Sequence, residues 1–348
     1  MKNLTMSDKA PIISIITPTY NRADELKHLY RSIRQQSIDL KILEFIISDD
    51  GSTDSTKSMV EKWVETSEFS IKYITQKNQG PGAARNHGMM VAEGDLFLFI
   101  DSDCEAHHDW IKIIYEEYKQ NKFDAFGGPD RAKDDFSVLQ KSIDFSMTSF
   151  FTTGGMRGHS EDMLTKFFPR THNMGVKRSI YDQIGGFGGL RHGQDIEYSN
   201  RIRKSGARIK FLIDAVVYHR RRTSLKQFFK QVFNWGVARV NLGKMDKEML
   251  EVVHFIPSVA TVTTLLSFGL FILLKFSLSK YLLVVIIPLI SISLYGSITK
   301  KDIRVFPYLM IVIPAQIIGY GTGFFQAYVR RFLFNQEELV GFKKNYYK

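Results

Sequence analysis

The sequence predicts an α/β domain with a mostly parallel sheet, followed by transmembrane helices at the C-terminus. Short β-branched runs alternate with amphipathic helical patterns in the first third of the chain, as in a sheet covered by helices on both faces. Loops rich in Asp, Asn and Gly follow these runs. Three uncharged apolar stretches close the chain, and each has about the 20 residues that a helix needs to cross a bilayer.

The first two strands and the helix between them follow from the hydrophobic pattern. Ile12–Thr17 is a β-branched run that predicts a buried strand, and Glu44–Ser48 predicts a second. Between them, Asp24–Gln36 carries apolar residues at helical spacing. The loop Asp49-Asp50-Gly51-Ser52-Thr53-Asp54 then offers the acidic and hydroxyl side chains that suit the start of a helix.

The next strands repeat the pattern. Ile71–Thr75 and Leu96–Ile100 predict a third and a fourth strand, with a helix over Gly80–Ala92 between them. Ligands of such sheets bind at the carboxyl ends of the strands, where the polar loops fall. Residues 124–215 are less regular, and we expect more loop and an antiparallel edge there.

The basic residues are unevenly placed along the chain. The chain has 47 Lys and Arg against 36 Asp and Glu, a net charge of +11 at pH 7. Val216–Met245 contains no acidic residue and directly precedes the apolar stretches, where basic side chains meet anionic head groups. A solvated basic face is the alternative. Nucleic acid is not an expected partner, because no known nucleic-acid-binding pattern accompanies the charge.

A helix is predicted over Ser224–Asn241, with one apolar stripe and lysines off it. A basic amphipathic helix directly before a transmembrane segment most often lies in the membrane interface. The alternative is an ordinary helix packed on the domain. The single cysteine, Cys104, fits a reducing compartment, and Met1–Ala10 lacks the apolar core of a signal peptide. We therefore expect a cytoplasmic catalytic domain.

The candidate chemistry begins at Asp101-Ser102-Asp103, directly after the fourth predicted strand. Two carboxylates two residues apart at a strand end can converge on a hard divalent cation that also holds a diphosphate. Such a cation neutralises the charge that builds on a leaving phosphate. Alone, this short pattern is weak, since it occurs by chance in many loops.

Other motifs in the chain strengthen the interpretation of Asp101-Ser102-Asp103 as a cation site. In order and spacing, the motifs over roughly residues 10–245 resemble those of family 2 glycosyltransferases with the GT-A fold, which implies a Rossmann-like, mostly parallel catalytic domain. The motifs are Thr17-Pro18-Thr19-Tyr20-Asn21-Arg22, Asp49-Asp50-Gly51-Ser52-Thr53-Asp54, Asn78-Gln79-Gly80-Pro81-Gly82-Ala83-Ala84-Arg85-Asn86, Asp101-Ser102-Asp103, Gly185-Gly186-Phe187 and Gln194-Asp195-Ile196-Glu197.

The resemblance implies a nucleotide-sugar site in the first half. Thr17, Pro18 and Tyr20 are expected to line the base pocket, and Asp50 to contact the base or ribose. Arg85 is expected to face the base or the diphosphate, either of which suits a guanidinium. A structural ion pair is the alternative for Arg85.

The resemblance also implies a divalent cation, Mg²⁺ or Mn²⁺. Asp103 matches the main metal ligand, and Asp101 matches a residue that holds ribose or metal. His219, at the end of a β-branched run, matches a residue that coordinates the metal or touches the diphosphate. An ordinary packed histidine is an equal alternative.

Asp195 matches the family's general base, which takes the proton of the acceptor hydroxyl as that hydroxyl attacks the anomeric carbon. The transition state is expected to resemble an oxocarbenium ion, and without a covalent intermediate the configuration inverts. The family usually has Glu before this Asp, whereas this chain has Gln194. Glu197 is expected to cap its helix or to support the base from behind.

One near-match concerns the acceptor. Gln231-Val232-Phe233-Asn234-Trp235 resembles the Gln-x-x-Arg-Trp signature of processive polysaccharide synthases, with Asn234 replacing the Arg. In those enzymes the Trp stacks on an acceptor sugar, so Trp235 is a candidate acceptor or interface residue. The lost Arg disfavours a processive synthase, and a plain interface aromatic is the better interpretation of Trp235.

The membrane part is predicted as three crossings, over Phe255–Leu274, Tyr281–Thr299 and Val305–Val329. Three crossings place Arg330 and the basic tail outside, against the positive-inside rule. Either the rule is overridden, or Ala315–Phe325 does not fully cross. The expected organisation is a catalytic domain over residues 1–222, an interface helix and linker over 223–254, a transmembrane region over 255–329 and a basic tail over 330–348.

The expected function is inverting transfer of a sugar from a nucleotide-sugar to a membrane-associated, lipid-linked saccharide acceptor, for surface glycan synthesis at the plasma membrane. The alternatives are a processive synthase-like enzyme and a non-catalytic membrane scaffold with a transferase-like domain. A hydrolase with paired carboxylates is a further rival, although nothing in the sequence requires water as the acceptor.

Overall fold

A computed structural model describes residues 12–131, 133, 136–153, 167–274 and 278–342 of the chain. The expectations about Met1–Ala10 and about the lysines beyond residue 342 lie outside these described residues. The strands are β1 (Ile13–Thr19), β2 (Leu43–Asp49), β3 (Ser70–Thr75), β4 (Leu96–Phe99), β5 (Cys104–Ala106), β6 (Ala125–Gly127), β7 (Asp130–Arg131), β8 (Met174–Lys177), β9 (Ile209–Phe211) and β10 (Val217–His219).

Helices fill the segments between the strands and most of the C-terminal third. They are α1 (Ala23–Arg34), α2 (Thr56–Thr66), α3 (Pro81–Val91), α4 (Trp110–Lys119), α5 (Val138–Thr148), α6 (Phe150–Thr153), α7 (Arg178–Ile184), α8 (Gln194–Lys204), α9 (Leu225–Met245), α10 (Ile256–Leu274), α11 (Leu278–Thr299) and α12 (Val305–Tyr328). The four predicted strands of the first half are confirmed to within two residues at each end.

The large sheet has the order β3-β2-β1-β4-β8-β6-β9. The first four of these strands are parallel, whereas β8 is antiparallel to both β4 and β6. The edge strand β9 is parallel to β6. The expected antiparallel strand therefore exists but lies inside the sheet, and the expectation that it forms the edge was wrong.

Hydrophobic clusters cover both faces of this sheet. On one face, Ile13 and Ile15 of β1 pack with buried residues of α1, α2 and α4. On the other face, Ile16 packs with α3, α7 and α8. The alternation of β1 side chains between two apolar layers follows from the period of two in a strand. Helices on both faces are thus confirmed.

A second sheet brings distant parts of the chain to the carboxyl end of β4. Its order is β5-β10-β7, with β10 antiparallel to β5 and parallel to β7. In this register His219 lies opposite Cys104. The small sheet therefore holds His219 beside the turn that contains Asp103.

Helix α9 is packed against other helices along most of its length. Phe228, Val232, Val237 and Val240 are fully buried. Gly236 of α9 lies so close to the backbone of α12 that a Cβ atom would overlap it. The packing that the alternative expects is therefore present, and the expected place of this helix at the membrane interface stays a prediction.

The predicted C-terminal helices occur where the sequence places them, as α10, α11 and α12. Within the described residues, Val305–Leu333 is the segment long and apolar enough to cross a membrane. Gly319 and Gly323 of α12 contact Val232 and Phe233 of α9. Because α12 is packed in this way against the catalytic part, the structure does not support the expectation of three crossings.

Candidate active site

The carboxyl ends of β1 and β2 carry the candidate donor residues. Thr17 is fully buried and its hydroxyl donates to the Ile100 carbonyl over 3.0 Å, so this side chain ties β1 to the end of β4. Pro18 is buried as well, whereas Tyr20 is half-buried. Of the three residues expected in the base pocket, Tyr20 is therefore the one with substantial surface open to a ligand.

Asp50 organises the loop above the sheet. Its carboxylate accepts hydrogen bonds from the Gln76 side chain and from the backbone N–H groups of Gln79 and Gly80, over 2.7–2.9 Å. It is 3 % exposed. Asp50 thus fixes the entry to α3, and its expected contact with the base or ribose stays a prediction.

Arg85 and Asp101 form a close ion pair, with Nη2 and Oδ1 2.5 Å apart. Arg85 is buried, its guanidinium lies over the Phe187 ring, and its Nε has no hydrogen-bond partner among the described residues. The Asp101 side chain keeps 29 % of its surface exposed. Arg85 thus forms the ion pair that its alternative expects, and the Asp101 side chain remains partly exposed.

Asp103 is held between two cationic side chains. Arg22 Nη1 lies 2.8 Å from one carboxylate oxygen, and His219 Nε2 lies 3.4 Å from the other. Burial opposes ionisation here, yet His219 and Arg22 hold the pKa of the Asp103 carboxyl well below its usual range. The same contacts act in reverse on His219: burial lowers its pKa, but Asp103 and Asp130 raise it to about 9.

The histidine belongs to a larger cluster. His219 Nδ1 lies 3.7 Å from Asp130, and His172 Nε2 lies 3.6 Å from the same carboxylate. The two imidazole rings are stacked, with centroids 5.2 Å apart and planes 20° apart. Arg221, almost fully buried, pairs with Asp130 at 2.5 Å and with Asp144 at 2.8 Å.

These residues can be tested for their fit to a divalent cation. Ligand atoms of Asp103, Cys104 and His219 lie within 4.8 Å of one another. The carboxylate suits Mg²⁺ or Mn²⁺, and the imidazole can join it as a nitrogen ligand once it has lost the proton that Asp103 and Asp130 favour. Burial and the nearby Asp103 and Asp101 raise the pKa of the Cys104 thiol well above its usual range, so this thiol is a poor ligand. Asp103 and His219 therefore fit the expected cation.

Asp195 opens α8 and pairs with Arg170. Its Oδ2 lies 3.2 Å from Arg170 Nη1, and about a quarter of its side chain is exposed. Burial raises the pKa of this carboxyl, but Arg170, the Ile196 backbone N–H and the charge of His172 lower it overall. His172 thus contacts Asp130 and His219, and its charge also acts on the base candidate Asp195.

The neighbours of Asp195 shape the loop before it. Gln194 donates to the Gly188 carbonyl over 3.3 Å, and its side chain lies against Gly82 at the start of α3. Glu197 forms an ion pair with Arg201 at 2.5 Å, and Arg201 in turn donates to the carbonyls that end α7. Glu197 therefore orients Arg201, which holds the loop after α7, and its expected role at the helix start or behind the base stays a prediction.

The synthase-like segment of α9 contacts other helices and the chain end. Trp235 is half-buried and packs against a hydrophobic cluster from α5, α9 and α12. The Asn234 amide donates to the Phe342 carbonyl over 2.9 Å and accepts from the Phe342 N–H over 2.8 Å. Asn234, at the position of the missing arginine, thus fastens the segment that follows α12.

Sequence reasoning missed four residues of the cleft. These are Arg22, Asp130, Arg170 and His172. Arg22 lay within a quoted motif and its charge was the available signal. The other three lie in the irregular region 124–215, where no pattern marks them, and long-range pairing alone brings them to Asp103 and Asp195.

Comparisons with known proteins identify glycosyltransferases as relatives of this chain. The profile of the family described as "Glycosyl transferase family 2" matches residues 14–185. Glycosyltransferase AglE of Haloferax volcanii is 24 % identical over 243 residues, which cover 70 % of this chain and 77 % of AglE. The GalNAc(5)-diNAcBac-PP-undecaprenol beta-1,3-glucosyltransferase of Campylobacter jejuni is 35 % identical over 119 residues, or 34 % of this chain and 38 % of that enzyme.

Solved structures share the fold. The mannosyltransferase PcManGT from Pyrobaculum calidifontis, in complex with GDP-Man and Mn²⁺, has a TM-score of 0.63 at 18 % identity, covering 91 % of this chain and 88 % of that one. S. aureus TarS 1–349 in complex with UDP-GlcNAc has a TM-score of 0.50 at 19 % identity, covering 94 % and 93 %. At these identities the likeness establishes the GT-A-like fold.

Proposed function

We propose that this chain, which belongs to glycosyltransferase family 2, moves one sugar from a nucleotide-sugar to a membrane-associated acceptor with inversion at the anomeric carbon. One observation carries the proposal. The stacked His172 and His219 connect the two candidates, because His219 lies 3.4 Å from Asp103 and the charge of His172 acts on Asp195. A cation ligand and a proton acceptor on either side of one opening are what direct sugar transfer requires.

On the donor side, Asp103 and His219 would hold Mg²⁺ or Mn²⁺, with Asp101 at the opening. When bound, such a cation neutralises the charge that develops on the leaving diphosphate. Arg22 and Arg85 keep these carboxylates in place through their ion pairs. Tyr20 and the loop that Asp50 anchors would line the nucleobase.

On the acceptor side, Asp195 would take the proton of the attacking hydroxyl. The acceptor oxygen forms its bond to the anomeric carbon as the bond from that carbon to the diphosphate oxygen breaks. The freed electron pair leaves with the nucleoside diphosphate, and the proton stays on Asp195. Arg170 holds the carboxylate in its ionised form before the reaction.

The relatives support the class of donor and acceptor. The names of the solved structures give GDP-Man and UDP-GlcNAc as bound donors. The Campylobacter enzyme is named for an undecaprenyl diphosphate-linked glycan acceptor. We therefore propose a lipid-linked saccharide acceptor in surface glycan assembly. A processive synthase receives less support, since Asn234 is bonded to Phe342.

The proposed catalytic domain extends over residues 1–222, and we propose that the chain attaches to the plasma membrane from the cytoplasm through its C-terminal helices. Exposed apolar side chains on α10, α11 and α12 provide the contact surface. Because α12 packs along α9, we propose that α12 lies beside the catalytic part rather than crossing the bilayer. Arg330 and Arg331 then remain on the cytoplasmic side, as the positive-inside rule prefers.

The test uses the full chain in detergent with a panel of UDP- and GDP-sugars, in Mn²⁺ and in EDTA. We expect one donor to bind in Mn²⁺ only, and Asp103→Asn to lose that binding. Release of nucleotide on addition of a lipid-linked saccharide would support transfer. Failure of every donor to bind in Mn²⁺ would refute the proposed function. A C-terminal tag that is cleaved only in inside-out vesicles would support the placement of α12.

A further inference from the structure

Two arginines lie on the acceptor side of Asp195, and one of them has no counter-charge in contact. Arg170 pairs with Asp195, as described above. Arg239 of α9 is 9 % exposed, and its Nη1 donates to the Met249 carbonyl over 3.2 Å. Among the described residues, no carboxylate lies within ion-pair distance of Arg239. Burying a guanidinium without a paired anion costs free energy of folding, so we expect a bound ligand to supply the anion.

A second buried group beside Arg239 is also incompletely bonded. The Tyr320 hydroxyl of α12 is buried and has no well-formed hydrogen bond among the described residues, although it lies close enough to the Arg239 guanidinium for a weak one. It interacts electrostatically with the Arg239 guanidinium. A hydroxyl and a guanidinium that both retain donors can bind one anion together.

The charges of the surrounding residues also favour binding of an anion beside Arg239. Burial lowers the pKa of the Arg239 guanidinium, Tyr320, Glu251 and Asp195 oppose this, and Arg170 lowers it further. Burial and the Arg239 charge lower the pKa of His254 to about 3. Asp195 and Glu251 thus act on Arg239 without contacting it, and this compensation falls when Asp195 takes a proton.

The position of this basic pair suits an acceptor that arrives from the membrane. Gly193, two residues before Asp195, lies against α9: a Cβ atom there would be 3.1 Å from Leu242 and 3.4 Å from Ala238. Arg239 follows Ala238 directly. The same helix contacts Tyr320 through Gly236. Arg170 and Arg239 thus lie where α9, the apolar helix α12 and the loop before Asp195 meet.

We infer that Arg239, Arg170 and Tyr320 form a binding site for a phosphate group of the acceptor, carried by a lipid whose chain lies along the apolar helices. This inference rests on the proposed function and assigns a ligand class to its acceptor side. The arginines bind the phosphate oxygens and thereby hold the acceptor hydroxyl near Asp195. Arg239 is a positioning residue, since it does not touch the reacting atoms.

The test measures binding of geranyl phosphate to the full chain in a neutral detergent, with EDTA present so that no divalent cation recruits phosphate to the donor side. Inorganic phosphate and geraniol are the comparison probes. We expect geranyl phosphate to bind at least tenfold more tightly than either probe. Geraniol binding as tightly would overturn the anion site, and inorganic phosphate binding as tightly would overturn the lipid source.

Variants locate the site. Arg239→Gln and Arg170→Gln should each weaken geranyl phosphate binding about tenfold or more, as expected for a lost charged hydrogen bond. Arg239→Lys should recover part of the loss. Arg304→Gln, at an exposed arginine paired with Asp302, is the matched control and should bind as the native chain does. Unchanged binding in both Gln variants would refute the inference.

Two further measurements keep the outcome clear. Arg170 is partly exposed, so Arg170→Gln is expected to fold even if Arg239→Gln does not. Donor binding in Mn²⁺ is measured on each variant and should stay within twofold of the native value. Lost donor binding in the native chain would refute the proposed function alone, whereas intact donor binding with unchanged geranyl phosphate affinity in the variants would refute this inference alone.

Discussion

The donor side and the acceptor side of the cleft are built in different ways. On the donor side, Asp50 and Asp103 follow β2 and β4 of the parallel part of the sheet, and groups in the loops after β3 and β1 bind their carboxylates. On the acceptor side, Asp195, Arg170 and Arg239 come from separate segments that meet only through the packing of α8 and α9. Because the two sides are built from different segments, we expect that acceptor-side residues can be substituted without loss of donor binding.

The sharpest test of this separation is Asp195→Asn. Removing the proton acceptor should lower the rate of transfer about 10²–10⁴-fold, the usual contribution of a general base. The affinity for donor should stay within twofold, because the donor-side carboxylates keep their own partners. Turnover and donor binding are measured on the same preparation.

Asp103→Asn is the matched comparison on the donor side. It should lose the Mn²⁺-dependent part of donor binding, together with turnover. If Asp195→Asn instead turned over at a rate near that of the native chain, Asp195 would not be the base. If it lost donor binding as Asp103→Asn does, the two sides would not be separable.

A buried arginine, Arg221, joins the His219 cluster to α5, and its loss should destabilise the fold. Arg221 is 2 % exposed and bridges Asp130, in the cleft, to Asp144 of α5, which Lys300 also contacts. Arg221→Met leaves both carboxylates undercompensated, which should cost about 3–5 kcal/mol of the free energy of unfolding. The midpoint of denaturant unfolding in detergent measures this loss.

The control for that prediction is Arg304→Met. Arg304 forms an ion pair with Asp302 but is 71 % exposed, so solvent screening should leave the unfolding midpoint nearly unchanged. Equal destabilisation by the two variants would show that Arg221 is an ordinary surface charge.

The same difference explains what the sequence could and could not predict. Ile12–Thr17 and Leu96–Ile100 were identifiable because a buried strand of a parallel sheet is a continuous apolar run. Arg170, which pairs with Asp195, was not identifiable, and neither were Asp130 and His172, which contact His219. These contacts join residues far apart in sequence. Hydropathy also gave the positions of α10 to α12, but not whether protein or lipid covers their faces, because both are apolar.

The packing of α9 on α12 provides a smaller prediction. Gly236→Ala places a Cβ atom against the Tyr320 and Phe324 backbone, which cannot move as a flexible side chain would. Overpacking of this kind should cost about 1–3 kcal/mol. The thermal midpoint of the full chain in detergent measures the loss.

Gly269→Ala on α10 is the matched control, since no atom of the side chains that the structure describes lies within 4 Å of a Cβ atom built there. This change should be neutral or slightly stabilising, because Ala has the higher helix propensity. Equal effects of the two variants would show that α9 and α12 are not in close contact, and would remove the support for placing α12 beside the catalytic part.

The smallest expected effect concerns pH and tests how the acceptor side controls its base. Arg170 lowers the pKa of Asp195, and a general base works only when it is deprotonated. Transfer should therefore persist as pH falls into the ordinary range of aspartates, near ~4. Without Arg170 the pKa of Asp195 rises, so Arg170→Gln should move the acid limb of kcat/KM to higher pH, whereas Arg170→Lys should leave it nearly in place. Acid limbs at the same pH in the native chain and in Arg170→Gln would show that Arg170 does not act on the base, and donor binding over the same pH range separates this from unfolding.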